Sequence, residues 1–110
     1  MKLPYGKNAY VPKEKFTEYL LSETHAVGKL KAKFFKSAGF DETNVTQLER
    51  VILAIAHDEE VKEVISSPYG KKYVIDGTLS TSSKKKVKIQ TVWIIETGEK
   101  RPRFVTAYPV

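Results

Sequence analysis

The chain has 110 residues, enough to bury one hydrophobic core and too few for two. Hydrophobic residues make up 41% and charged residues 29%, which excludes a solvated, disordered tail, and the absence of cysteine excludes a disulfide scaffold or a thiolate metal cluster. The formal charge of +6, with a pI near 9.5, favours a polyanionic partner such as nucleic acid, the alternative being a surface that is basic only for solubility.

Residues 1–11 include Pro4, Gly6 and Asn8, with Pro12 following, and this mixture breaks both helix and strand periods. An extended arm is expected. A first helix should start at Pro12, where the missing N–H costs nothing, carry Phe16, Tyr19 and Leu20 as one stripe, and stop near Ser22. A second is expected from Ala26 to Ala38, with Val27, Leu30, Phe34 and Ala38 at steps of three and four. Gly39 supplies its left-handed ending and Phe40 can fold back on Phe35. A third helix should start where Asn44 and Gln47 approximate a capping box, bury Leu48, Val51, Ile52 and Ile55, and fade near His57.

Residues 58–67 fit either a continued helix or a short edge strand. Beyond Gly70 the period changes to two, so residues 72–79, then Val87 to Ile95, then Arg103 to Tyr108 read as strands separated by short connections. Such strands pair antiparallel as a meander. The expected fold is α+β: about three helices packed on one face of an antiparallel sheet of three to four strands. The whole chain is one domain, with an arm at 1–11, a helical half at 12–57 and a sheet half at 71–109.

The longest apolar run, Val51 to Ala56, is far below the roughly 20 residues a bilayer span needs. Residues 1–7 carry no apolar signal core, so the expected location is the cytoplasm, without membrane contact. His25 lies in the connection before the second helix, where an imidazole can face a cleft and exchange protons near neutral pH. Lys29, Lys33 and Lys36 fall on one side of that helix, whereas Lys31 falls on its apolar side and must snorkel or meet an acceptor. His57 at a helix end has a structural reading, beside terminal carbonyls. The two histidines have no third ligand at a recognisable spacing, so neither metal nor cofactor is expected.

In the sheet half, Lys84, Lys85, Lys86 and Lys88 fill one connection and its strand. Lys100, Arg101 and Arg103 enter the next, so two neighbouring connections could face phosphate. Strict alternation along the last strand groups Phe104, Thr106 and Tyr108 on one face and Arg103, Val105 and Ala107 on the other.

Several segments carry a resemblance: Leu3-Pro4, Tyr19-Leu20-Leu21, His25 before Gly28, Lys31-Ala32-Lys33-Phe34-Phe35 with Gly39-Phe40, Tyr69 to Tyr73, Thr91-Val92-Trp93, and Thr106-Ala107-Tyr108-Pro109. Over nearly the whole chain they resemble a family of short bacterial proteins classed as a domain of unknown function, which implies a family and no activity. The layout is also similar, more distantly, to the barnase, EndoU, colicin and RelE superfamily of ribonucleases and toxins. A second histidine in the sheet, present in several branches of that superfamily, is missing from this chain, which argues against a two-histidine mechanism.

Two readings stand. In the first the domain is a metal-independent ribonuclease or toxin-like nuclease, with His25 as acid or base, Lys31 and Arg103 stabilising phosphate, Thr106 and Tyr108 orienting it, and Lys29, Lys84, Lys85, Lys86, Lys88 and Arg101 holding RNA. In the second it is a non-catalytic module that binds nucleic acid or docks a protein. A small partner protein encoded alongside suits either reading.

Overall fold

The computed structural model describes residues 1–15, 28–80 and 86–110. Helix α1 spans Gly28–Ser37 and α2 spans Val45–Asp58; strands β1 (Glu63–Ser67), β2 (Gly70–Ser80), β3 (Lys86–Glu96) and β4 (Arg103–Pro109) follow. The strands form one antiparallel sheet in the order β1-β2-β3-β4. This is the α+β meander expected from the change of period. Glu14 and Lys15 are helical, and the rest of the expected first helix lies outside the described residues.

α1 ends as its sequence dictates. Gly39 takes a φ of 94°, Phe40 N–H donates to the Phe35 carbonyl at 2.8 Å and Gly39 N–H to that of Lys36 at 3.0 Å, the paired bonds of a Schellman ending. α2 starts directly after Asn44, as expected, but its capping differs. Asn44 does not cap α2 through its side chain. It closes a capping box with Asp41 around the 3₁₀ turn Glu42–Asn44, accepting from Asp41 N–H at 2.8 Å, and donates to the Gly39 carbonyl at 2.8 Å. The Asn44 amide is therefore spent on the α1–α2 connection, which leaves none of it for the Gln47 box.

α2 buries Leu48, Ile52, Ile55 and Ala56, and together with Phe35, Ala38 and Phe40 these pack on Tyr73, Ile75, Leu79, Ile89 and Trp93 of the sheet. Gly77 lets α2 come close: a Cβ there would stand 2.5 Å from the Ile55 side chain. Trp93 meets the Phe104 ring edge to face at 5.3 Å. Its indole N–H donates to Thr91 Oγ1 at 3.0 Å, and that hydroxyl donates to the Ile75 carbonyl at 2.8 Å, which satisfies a fully buried threonine.

Residues 1–11 are docked against the body of the domain, with Leu3 and Val11 in the core and a 3₁₀ turn at Gly6–Asn8. Tyr10 bridges β4 in parallel, Phe104 N–H donating to its carbonyl at 3.0 Å. The ambiguous stretch 58–67 resolves into the end of α2 and the edge strand β1, whose residues 63–66 are exposed on both faces. That exposure explains why no alternation marked it.

Candidate functional site

β4 decides which residues meet. Trp93 pairs with Phe104 and Val92 with Thr106, so Val105 is an extra residue in β4, a bulge opposite the Val92–Trp93 step. Strict alternation fails there. Phe104 and Ala107 are both fully buried on the helical face, whereas Arg103, Thr106 and Tyr108 pair with Ile94, Val92 and Gln90 on the second face, the side turned away from α2. The grouping of Thr106 and Tyr108 with Phe104 is thereby corrected, and the bulge joins both to Arg103.

The three are spread along the strand. Their partners Ile94 and Gln90 are four residues apart on β3, so Arg103 and Tyr108 stand roughly 13 Å apart with Thr106 between them. The Arg103 guanidinium donates to Glu96 Oε1 at 2.7 Å. Beside this pair is a shallow depression of about 460 Å³, lined by Lys72, Ile94, Glu96, Arg103 and Val105, with Tyr69 at its rim. Two cations and one carboxylate edge it.

Further along the same face runs a polar chain. Lys62 donates to Asp76 Oδ2 at 3.1 Å and to Gln90 Oε1 at 3.4 Å, and Gln90 Nε2 donates to the Tyr108 hydroxyl oxygen. Sequence reasoning did not single out Lys62, Asp76 or Gln90. Gln90 was visible only as a polar residue in an alternating run, and its neighbours follow from a cross-strand register that one strand cannot reveal.

The remaining candidates are dispersed. Lys86 and Lys88 lie at one end of β3 and Arg101 follows its other end, so the two basic connections flank the sheet and form no single patch. The Arg101 guanidinium lies 3.8 Å above the centre of the Tyr10 ring, and its Nε donates to the Asn8 carbonyl at 3.3 Å. Lys29 and Lys31 belong to α1, which packs on the helical face through Phe35 and Ala38. His25, Lys84 and Lys85 lie outside the described residues. Among the described residues no group of three His, Asp or Glu side chains could hold a metal ion, and no helix is long and apolar enough to cross a membrane.

These features define a small α+β domain, an antiparallel meander backed by helices on one face, with Arg103, Thr106 and Tyr108 on the other. The chain belongs to the family described as a domain of unknown function (DUF6883), which matches residues 2–110. Comparison with curated proteins finds no match. Its fold is similar to that of a chain in a contact-dependent growth inhibition toxin–immunity protein complex from Klebsiella pneumoniae 342, with a TM-score of 0.73 and 17% identity over 96% of each chain. That identity makes it a likeness of fold.

Proposed function

We propose that the domain is a toxin-like, metal-independent ribonuclease whose phosphate-handling residues are Arg103, Thr106 and Tyr108. The observation that carries this reading is the bulge at Val105, which turns Thr106 and Tyr108 out of the core and onto the face of Arg103. Bulges re-aim side chains in this way beside active sites. The likeness to a chain of a toxin–immunity complex supports the reading at the level of fold.

RNA supplies its own nucleophile. His25 takes the proton of a 2′-OH, the freed oxygen attacks the adjacent phosphorus, and the bond from phosphorus to the 5′-oxygen breaks as that oxygen takes a proton from water, giving a 2′,3′-cyclic phosphate and a new 5′-OH end. Arg103, with Lys72, offsets the charge on the phosphate, while Thr106 and Tyr108 fix its orientation; Lys31, on α1 across the sheet, takes no part in this step. The remaining lysines hold the rest of the strand, while Arg101, engaged with Tyr10 and Asn8, holds the N-terminal arm. A small partner protein restrains the activity in the cytoplasm, where RNA is the abundant polyanion.

The test is RNA cleavage by the purified chain in excess EDTA. Wild type is expected to leave cyclic-phosphate ends, and His25→Ala, Arg103→Ala and Tyr108→Phe to lose about 100-fold or more in rate where the group acts in general acid–base or charge stabilisation. Cleavage that survives all three substitutions removes this site. A second reading, a non-catalytic protein-binding module, is favoured by β1: among the described residues nothing pairs with its outer edge, and Val64 and Ile65 are 42% and 45% exposed. Salt-sensitive RNA binding without cleavage would leave only a binding module.

A further inference from the structure

We infer that Gln90 is the positioning residue of the Tyr108 hydroxyl, and that Lys62 and Asp76 set the orientation of its amide; the inference rests on the ribonuclease reading only for its kinetic consequence. An ammonium group donates and never accepts. With Lys62 Nζ at 3.4 Å, Gln90 must present its oxygen to Lys62, and its Nε2 then turns to the opposite side, where it donates to the Tyr108 oxygen. Asp76 holds the ammonium in place at 3.1 Å. Asp76 and Gln90 are direct cross-strand partners, as are Gln90 and Tyr108, so the chain of bonds crosses β2, β3 and β4 at one level. Lys62 is pinned to that level by its own N–H, which donates to the Val74 carbonyl at 2.8 Å.

As a source of stability the arrangement contributes little. The Lys62 and Asp76 side chains are 54% and 41% exposed, where an ion pair is screened by water. Asp76 also carries a buried oxygen, Oδ1, with no hydrogen-bond partner among the described residues, which is a cost. Its consequence falls on Tyr108. A phenol oxygen that accepts from Gln90 keeps its own hydrogen in the ring plane on the side away from Gln90, so the direction in which it donates is fixed.

Four variants test this: Gln90→Leu, Gln90→Glu, Lys62→Ala and Tyr108→Phe. Gln90→Glu keeps the shape and loses the donor, so it separates donation from packing. Gln90→Leu and Gln90→Glu should each lower kcat for RNA cleavage about three- to tenfold, the worth of one hydrogen bond, with KM unchanged and no further loss in the Tyr108→Phe background. Independently of cleavage, the ¹³Cζ resonance of Tyr108 should move in Gln90→Leu and in Lys62→Ala. An unmoved resonance, an unchanged kcat, or a full additional loss in the Tyr108→Phe background would overturn the inference. If wild type cleaves no RNA the ribonuclease reading fails, and the resonance alone still decides whether Gln90 sets the hydroxyl.

Discussion

Thr91 is a polar side chain at full burial on a face otherwise built from Ile75, Ile89, Trp93 and Phe104. Trp93 is the reason it is there. An indole that large brings an N–H into the core, and a hydroxyl two residues back along the same face both accepts from it and passes a hydrogen to the Ile75 carbonyl. Replacing Thr91 by Val keeps the shape and leaves a buried donor unpaired, so the expected loss is about 1–3 kcal/mol, while Thr91→Ser retains most of the pairing. Urea unfolding followed by the emission of the single tryptophan, Trp93, measures both. A Thr91→Val midpoint equal to wild type would show that the pairing contributes nothing.

At the scale of elements, legibility follows from how many independent signals a segment carries. The end of α1 carried two, Gly39 and Phe40, and it folds as they require. β3 carried alternation from Val87 to Ile95, and β2 a run of strand-forming residues bounded by Gly70 and the polar loop after Leu79. β1 carried none, because an edge strand exposed on both faces gives no reason to alternate. The bulge was illegible for a different reason. One extra residue changes which face Thr106 and Tyr108 occupy without changing composition, and only pairing with β3 exposes it. Two of the five catalytic candidates, Thr106 and Tyr108, therefore fell on a face other than the one alternation gave them.

The start of α2 at Asn44 was legible, whereas the capping box sits three residues earlier, on Asp41, and that residue has a pH signature. Two bonds from Thr43, first its hydroxyl and then its backbone N–H, hold the Asp41 carboxyl below the usual range, with Lys36 adding a smaller Coulombic pull. A carboxyl depressed in the folded state stabilises above its unfolded pKa, and that contribution is lost as pH falls through the folded value. Asp41→Asn keeps an acceptor and removes the charge. It should be less stable than wild type at neutral pH, and at an acid pH below the depressed folded-state pKa, where wild type loses its ionised form, the gap should close. Urea midpoints at the two pH values measure this, and a gap independent of pH would exclude the charge as its source.

Among the described residues the positive charge is distributed rather than focused. Lys86 and Lys88 sit at one end of the sheet, and Lys72 and Arg103 edge the depression toward the other, so a nucleic-acid strand that used them all would have to run the length of β3 and β4. Arg101 differs from these because its guanidinium is already engaged with Tyr10 and Asn8, holding the N-terminal arm to β4. Each phosphate neutralised on a single strand steepens the fall of log affinity with log salt by roughly 0.7. Lys72→Ala and Lys88→Ala should each reduce that slope by about this amount, whereas Arg101→Ala should leave the slope as it is and lower thermal stability by loosening the arm. Glu96→Gln should tighten RNA binding, since it removes a carboxylate that competes with phosphate for Arg103 at 2.7 Å. Fluorescence anisotropy with a labelled single-stranded RNA across a salt series reads all four variants. Identical slopes throughout would mean that the positive charge serves solubility alone, whereas a change confined to Lys72 and Lys88 would trace an RNA path over the second face.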